Sequence, residues 1–273
     1  MSEAVAVLHG AFGRACLYTM DRTMVSHAHR EGHLLFHVYG SPGEVYVNGC
    51  AIPLGPGQAV AVNPWQAHYY HQPVPGGQTL VLVLYIRPTW FWSGIGSRTT
   101  ALRFGRAAIE VTDELARLKD VSAMLDRDQH DPVINDWLLS LTQYCLDLSW
   151  HGSDPSERFA CVRDFRLRKA IQLLEQHVCE PVELDSVARE TGLSRPHFYK
   201  LFRQQVGVTP NLYLNSLRME RAIERLTRTT EAVAAIGLDL GFSSQASFSR
   251  FFIANGVVPP SAYRRSAQIA YSG

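Results

Sequence analysis

The strongest constraint on the fold is a repeated segment in the last third of the chain. Residues 191–210 read TGLSRPHFYKLFRQQVGVTP, and residues 240–260 read LGFSSQASFSRFFIANGVVPP. Both copies have a glycine near the start, the pattern Phe-x-(Lys or Arg)-x-Phe in the middle, and Gly-Val-x-Pro near the end. Repetition of this kind indicates one supersecondary unit that is used twice.

Each copy predicts a helix, a tight turn and a second helix. A glycine after the first helix can adopt the left-handed conformation that a sharp turn requires, and a serine two residues later can cap the second helix. The predicted first helices are Leu184–Glu190 and Glu231–Asp239, the glycines are Gly192 and Gly241, and the serines are Ser194 and Ser243. A longer helix, Thr209–Arg225 with Thr209 as its N-cap, is expected to join the two units.

The second helix of each unit has an apolar face that holds it in place and a polar face that is available for binding. The apolar residues are Phe198, Leu201 and Phe202 in the first copy and Phe248, Phe251 and Phe252 in the second. A helix-turn-helix unit places such a helix in the major groove of DNA. The sequence therefore predicts two DNA-binding units, at about residues 184–205 and 232–255.

The ordered set of motifs resembles the AraC/XylS type of bacterial transcription regulator. The matching segments are GLSRPHFYKLFRQQVGVTPNLYLNSLRMERA, then GFSSQASFSRFF, then the pattern Pro-x3-Tyr-Arg at Pro259–Arg264. The similarity covers roughly residues 160–265. It implies that both second helices, the recognition helices, enter successive major-groove segments on one face of the duplex, about 34 Å apart.

The resemblance also assigns candidate DNA contacts by position. The base-contacting candidates are Pro196, Tyr199 and Lys200 in the first unit and Gln245, Ala246, Ser249 and Arg250 in the second. The phosphate-contacting candidates are Arg195, Arg203, Arg218 and Arg221. Arginine can bind guanine, and glutamine adenine, through two hydrogen bonds. Ile253 and Ala254 stand where the family usually has basic residues, so we expect the first unit to contribute more to DNA affinity.

The first part of the chain has the pattern of short antiparallel strands. Apolar runs such as AVAV and TLVLVLYI alternate with turn sequences such as Gly40-Ser-Pro-Gly43 and Asn48-Gly49 between about residues 5 and 90. Six of the eleven histidines, including a His-x-His pair, lie between residues 27 and 71. This arrangement resembles a cupin β-barrel, in which a His-x-His strand and a later histidine line the cavity.

Two ligand classes remain open for this barrel. The effector-pocket candidates are His27, His29, His33, Trp65 and His68. The four histidines of that set are also a chemically reasonable site for a divalent transition metal, because neutral imidazole binds zinc, nickel, copper and iron. The family resemblance favours a small organic effector instead, and a structural role is open for the histidines that line neither site.

Three domains follow from these patterns. Residues 1–100 are expected to form an antiparallel cupin-like β-barrel that senses the effector, and residues 153–273 an all-α DNA-binding domain with two helix-turn-helix units. Residues 101–152 are expected to form a helical pair that joins two chains. Its helices are TDELARLKDVSAMLD and DPVINDWLLSLTQYCLDLSW, and the best linker is the segment 151–156. Their apolar faces must pack on the sheet or on a partner chain.

Composition narrows the class of protein. Residues 1–155 hold 10 Lys and Arg against 14 Asp and Glu, whereas residues 156–273 hold 16 against 11, a weak sign of nucleic-acid binding in the second half. The five cysteines form no C-x-x-C motif, which predicts reduced thiols rather than disulfides or a zinc site. We find no apolar run of membrane-spanning length and no secretory signal pattern, and expect a cytoplasmic, nucleoid-associated protein.

The favoured function is a sequence-specific DNA-binding transcription regulator, controlled by a small-molecule effector in the barrel and without enzymatic activity or catalytic residues. Its expected partners are a double-stranded DNA operator, the effector, a second copy of the chain and, if it activates, RNA polymerase, but no membrane. One alternative is a metal-dependent cupin enzyme, an oxygenase or isomerase, with a helical appendage. A second is a helical interaction module that has lost DNA contact.

Overall fold

The structure is a computed structural model that describes residues 3–87, 90–91, 103–111, 132–150, 164–180, 182–256 and 258–269. The first helix predicted for the middle of the chain, residues 112–126, and the linker at 151–156 lie outside the described residues. Among the helices that the structure describes, none has the length and apolar character needed to cross a lipid bilayer.

The N-terminal part consists of antiparallel strands in two sheets, which confirms the predicted antiparallel β class, although the described strands do not close into a single barrel. The strands are β1 (Glu3–Gly10), β2 (Gly13–Met20), β3 (Gly32–Gly40), β4 (Gly43–Val47), β5 (Cys50–Leu54), β6 (Gln58–Val62), β7 (His68–His71), β8 (Thr79–Ile86) and β9 (Ala108–Glu110). One sheet has the order β1-β2-β8-β3-β6-β9 and the other the order β5-β4-β7. Each observed strand pair is antiparallel.

The central strands of the large sheet are buried on both faces, and this explains their nearly continuous apolar sequence. On β8, Val81 and Val83 face the inner core between the sheets, whereas Leu82 and Leu84 belong to a second core on the outer face. The first helix that the structure describes, α1 (Pro132–Ser149), covers this outer face. Its side chains Ile134, Leu138, Leu141 and Cys145 pack into the outer core. The apolar face of α1 therefore packs on the sheet of its own chain.

The C-terminal part is helical throughout its described residues. The helices are α2 (Phe165–Gln176), α3 (Leu184–Glu190), α4 (Arg195–Val206), α5 (Pro210–Arg228), α6 (Val233–Asp239), α7 (Gln245–Gly256) and α8 (Pro260–Ile269). Helices α3 and α4 form the first helix-turn-helix motif, and α6 and α7 form the second. Helix α2 and the first part of α5 share the core of the first motif, and the end of α5 and α8 share that of the second, so each of these groups is called a unit below. Helix α5 joins them.

The predicted turn chemistry is present at both units. Gly192 and Gly241 have φ angles of +71° and +81°, the left-handed conformation expected after the first helix of each unit. The Thr209 hydroxyl accepts a hydrogen bond from the Leu212 amide at 3.3 Å, which confirms its role as N-cap of α5.

Two predicted serine caps were wrong. Ser194 occupies the N-cap position of α4 without a side-chain cap bond. At α7 the capping serine is Ser244 rather than Ser243, because Ser244 and Ser247 each accept a hydrogen bond from the other's amide at 3.1 Å. This reciprocal pattern satisfies two amide groups at the start of the helix.

Candidate DNA-binding surface and ligand cavity

The first recognition helix, α4, is fixed by two phenylalanines and exposes cationic side chains. Phe198 and Phe202 have no exposed surface and pack in the core of the first unit. Arg195, Lys200 and Arg203 are exposed on the same helix, and so is Pro196. Tyr199 is half-buried, and its hydroxyl accepts a hydrogen bond from Asn211 at 3.3 Å.

A surface cleft of about 490 Å³ runs beside α4. Its lining residues are Tyr199, Lys200, Arg203, Gln204 and Thr209. The structure thus brings together three of the residues predicted from the sequence. Gln204 and Thr209 are additions that the family pattern alone did not identify, although Gln204 lies one turn after Lys200 on the helix.

The second recognition helix, α7, has the same construction with fewer charges. Phe248 and Phe252 are fully buried. Gln245, Ala246 and Arg250 are exposed, and Ser249 is half-buried. Arg250 is the one basic residue in the helix sequence QASFSRFFIANG.

The four predicted phosphate contacts have different surroundings. Arg195 forms an exposed ion pair with Asp185 at 3.2 Å, and Arg221 forms one with Glu224 at 3.2 Å. Within the described part of the chain, Arg203 has no ion-pair partner. Exposed pairs of this kind are weak enough to be exchanged for a phosphate.

Arg218 is used inside the domain. Its guanidinium donates hydrogen bonds to the carbonyls of Val178 at 3.2 Å and Glu180 at 2.9 Å. Burial lowers its pKa from the usual value. Arg218 therefore holds the segment between α2 and α3, and its contact with a phosphate stays a prediction.

Four histidines from distant parts of the sequence meet between the two sheets. His27 and His29 precede β3, His33 lies on β3, and His68 begins β7. All four are at most 5% exposed, and the contacting ring centroids are 4.3 to 5.4 Å apart. The His27 and His68 backbones are joined by two hydrogen bonds of 2.9 Å, so the cluster has a defined geometry.

The histidine rings are held in their neutral form. Burial lowers the pKa of His27 to about 4 and that of His33 to about 3. Burial, together with the neighbouring histidines, places the pKa of His29 and of His68 well below the usual value. Neutral imidazoles have a free nitrogen lone pair at neutral pH, which is the form that binds metals and accepts hydrogen bonds.

A small cavity lies beside this cluster. Its free volume is about 30 Å³, and it is lined by Tyr18, Met20, Met24, His27, His33, Leu35, Val45, His68, Tyr70, Val81, Val83 and Tyr85. Two of the predicted pocket residues are absent from this lining. His29 contacts the other three histidine rings from beside the cavity. Trp65 instead stacks on Tyr213 of α5, with ring centroids 4.1 Å apart, so it lies outside this cavity and its role in an effector pocket stays a prediction.

Residues 27–30 connect the histidine cluster to the helical domain. Ala28 is buried in the core of the first unit, and its carbonyl accepts a hydrogen bond from the Ser216 hydroxyl on α5. Arg30 donates to Glu175 on α2 at 2.7 Å. Because side chains alternate along an extended segment, His27 and His29 face the cluster while Ala28 and Arg30 face the helices.

Arg30 also lies near a second carboxylate on α5. Its Nε is 3.8 Å from Glu220. Burial and the nearby Glu31 raise the pKa of Glu220 to about 7, and Arg30 and Arg14 oppose this shift. The direct hydrogen bond of Arg30 is thus the one to Glu175 at 2.7 Å, whereas Glu220 lies 3.8 Å from its Nε.

The second unit contacts the N-terminal domain through a different element. Helix α8 lies along β1, where the Ser266 hydroxyl donates to the Ala4 carbonyl at 2.7 Å. Tyr263 contacts His9, with ring centroids 6.2 Å apart. Both helix-turn-helix units thus contact the N-terminal domain, and among the described residues the histidine segment contacts the first of them.

Sequence comparisons agree with the helical part. Residues 187–266 match the family described as "Helix-turn-helix domain". The regulatory protein PocR of Salmonella typhimurium is 33% identical over 102 residues, which are 37% of this chain and 34% of PocR. The matched region thus spans about a third of that relative. The probable transcriptional regulator LumQ of Photobacterium leiognathi is 23% identical over 237 residues, 86% of this chain and 89% of LumQ.

The fold of the whole chain has solved counterparts. The structure of fatty-acid-bound ToxT from Vibrio cholerae superposes with a TM-score of 0.61 at 14% identity, and covers 92% of this chain and 94% of ToxT. A second ToxT structure, with a naphthalenyl butenoic acid bound, gives a TM-score of 0.59 at 13% identity, and covers 93% of this chain and 98% of that one. PocR and LumQ are both named as regulators, and these comparisons give the alternative of a metal-dependent enzyme no support. The chain therefore contains a helix-turn-helix domain at residues 187–266, is similar over most of its length to a probable transcriptional regulator, and has the overall fold of ToxT.

Proposed function

We propose that this protein binds specific operator sequences through α4 and α7, and that a ligand held between the sheets changes its affinity for them. Control of DNA binding by the ligand is inferred from the segment of residues 27–30, which has contacts on two sides. One side of it faces the histidine cluster, and the other contacts α2 and α5 of the first helix-turn-helix unit. The ligands held by the two ToxT structures support a ligand-controlled regulator.

The proposed DNA contacts separate into two kinds. Pro196, Tyr199 and Lys200 from α4 and Gln245, Ala246, Ser249 and Arg250 from α7 are proposed to read bases. Arg195, Arg203 and Arg221 are proposed to contact phosphates, which position the protein but carry no sequence information. Lys200 and Arg250 are exposed cations at equivalent positions of the two helices, and a well-placed arginine can bind guanine through two hydrogen bonds.

Control by a ligand requires two arrangements of the domains. A ligand shifts DNA affinity only if it binds one arrangement better than the other. Movement of His27 or His29 toward a ligand would displace Ala28 and Arg30, because the four residues are consecutive. Their partners Ser216 and Glu175 belong to helices of the first unit, so that unit is proposed to respond first.

The test of the first part is selection of bound sequences from random double-stranded DNA, repeated at two salt concentrations. Specific binding predicts the same enriched motif at both, with weaker total binding at the higher salt because the release of counterions from the phosphates is less favourable there. Enrichment that is independent of sequence, or no enrichment, would contradict specific regulation. Arg250→Ala is expected to remove the base preference at one position of the motif. Arg203→Ala is expected to lower the affinity for all DNA sequences by the same factor.

We further propose a homodimer that acts in the cytoplasm on the nucleoid and that contacts RNA polymerase if it activates transcription. Since the apolar face of α1 packs on its own sheet, the described candidate for a dimer contact is the flank of its first turn, where Val133 is 64% exposed. Sedimentation of wild type and Val133→Glu tests this. A monomeric wild type contradicts the dimer, and a Val133→Glu variant that remains dimeric contradicts this interface.

A further inference from the structure

We propose that His27, His29 and His68 bind one divalent first-row transition metal ion, with His33 as a fourth ligand. The ligand nitrogens of the first three lie within 4.8 Å of one another. Metal–nitrogen bonds of about 2.0–2.1 Å place tetrahedral ligand nitrogens roughly 3.4 Å apart, so small side-chain rotations would close the site. This inference names the ligand class of the proposed function and rests on it for its regulatory meaning.

The backbone orients two of the rings for metal binding. His27 Nδ1 lies 2.8 Å from the Val25 carbonyl, and His68 Nδ1 lies 2.8 Å from the Gln66 carbonyl. A carbonyl can only accept, so each Nδ1 carries the proton and donates it. Each Nε2 is then left as a bare lone pair. Metal-binding histidines in proteins generally donate their other N–H to a carbonyl or carboxylate in this way.

The remaining two rings have buried nitrogens that lack a partner. Among the described residues, none forms a hydrogen bond with His29 Nε2 or with His33 Nδ1. His29 is 4% exposed and His33 is 2% exposed. Buried polar atoms are normally satisfied, and a metal ion in the centre of the cluster would provide the missing interaction for both.

The size and chemistry of the site select the class of ligand. The adjacent free volume of about 30 Å³ holds about one water molecule, which is too little for an organic effector in this arrangement. An ion needs only the space between the rings, and the cavity supplies room for a water ligand. Nitrogen ligands favour zinc, nickel, copper or iron(II) over magnesium and calcium, which prefer oxygen.

The site is also placed to affect the helical domain. Two of its ligands, His27 and His29, alternate with Ala28 and Arg30, which contact α5 and α2. The His29 carbonyl also accepts a hydrogen bond of 2.7 Å from the amide of Trp65, whose ring stacks on Tyr213. Closing of the rings on an ion would therefore move contacts that belong to the first helix-turn-helix unit.

The test uses the full chain, stripped with a chelator and then titrated with Zn²⁺ and, separately, with Co²⁺, Ni²⁺ and Cu²⁺. We expect one ion per chain, and Co²⁺ absorption of the intensity typical of a four- or five-coordinate site. His29→Ala and His68→Ala are expected to weaken binding at least about 100-fold, since each removes a direct ligand. The matched control is His71→Ala on the same strand β7, where the ring bonds to Thr23, and it is expected to keep wild-type affinity.

Three results would overturn the inference. The first is that none of the four ions binds with one ion per chain. The second is that His68→Ala and His71→Ala bind the metal with equal affinity. The third is that the X-ray absorption spectrum of the wild-type complex shows no imidazole ligands. The last measurement needs no variant, so it holds even where an alanine variant fails to fold. Operator affinity is measured in parallel with and without Zn²⁺. A metal-bound protein with unchanged operator affinity would support the site and contradict the proposed regulation, so the two failures are distinguishable.

Discussion

The two helix-turn-helix units have the same framework but different surfaces. Each has two buried phenylalanines on the recognition helix and a left-handed glycine in the turn. The first recognition helix exposes Arg195, Lys200 and Arg203, whereas the second exposes Arg250 as its one cation. The framework sets the fold and the exposed face sets the affinity for DNA, so one can stay constant while the other changes.

The units also differ in how tightly their two helices approach. In the second unit, a Cβ added to Gly237 on α6 would lie 2.8 Å from the Cβ of Phe248 on α7. The turn glycines Gly192 and Gly241 are 49 residues apart, and the residue 49 positions before Gly237 is the buried Ala188 of α3. The second unit therefore requires a residue without a side chain where the first accommodates a methyl group.

The largest expected difference is in DNA affinity. Replacement of Arg195, Lys200 and Arg203 by alanine should weaken operator binding about 100-fold or more, because up to three contacts with the anionic duplex are lost at ~1 kcal/mol or more each. Arg250→Ala should weaken it about 10-fold. Band-shift titrations at several salt concentrations measure both the affinity and the number of phosphate contacts.

The matched control for this comparison is Arg228→Ala, which removes an exposed cation outside both recognition helices. Its binding curve should overlay that of the wild type. If Arg250→Ala weakened binding far more than Lys200→Ala alone, the expected ranking of the two units would be wrong.

The next largest effect is expected from the packing difference. Gly237→Ala places a methyl group against the Phe248 ring, and overpacking of this kind costs about 1–3 kcal/mol. The better helix propensity of alanine offsets up to about 1 kcal/mol of this. We expect a net loss of stability by urea denaturation, and faster amide hydrogen exchange in α6 and α7 than in α3 and α4. A Gly237→Ala variant that is more stable than the wild type would contradict this prediction, because Phe248 would then be able to move away from the added methyl group.

A smaller difference is expected from the helix caps. Ser244→Ala removes the side-chain acceptor of the Ser247 amide and should cost about 1 kcal/mol of stability. Ser194→Ala should change stability by no more than a few tenths of a kcal/mol, because Ser194 makes no side-chain cap bond. The free energy of unfolding of both variants is measured by chemical denaturation. Equal losses of stability would contradict the difference in capping.

The smallest effect concerns the contact between the first unit and the N-terminal domain. Arg30 and Glu175 are 47% and 41% exposed, so a double-mutant cycle should give a coupling energy of about 0.2–1 kcal/mol that falls with salt. The second unit's contact, from Ser266 to the Ala4 carbonyl, is uncharged. The effect of Ser266→Ala on stability should therefore be independent of salt, and a salt-dependent effect would contradict this assignment.

The sequence by itself determined the features that depend on near neighbours in the chain. The helix α3 matches its predicted bounds, Leu184–Glu190, and the glycines, the Thr209 cap and the four buried phenylalanines are where the pattern placed them. The alternating apolar runs likewise identified the antiparallel sheets. These features follow from helical or strand periodicity and from the backbone freedom of glycine, which act over a few residues.

Only the tertiary structure decided which distant groups meet. It turned Arg218 toward two main-chain carbonyls, placed Trp65 on Tyr213, and packed α1 on its own sheet. It also brought His68 to His27, His29 and His33, and gave residues 27–30 one face toward the histidines and one toward the helices. These arrangements depend on how sheets and helices pack across long separations, and local periodicity carries no information about such contacts.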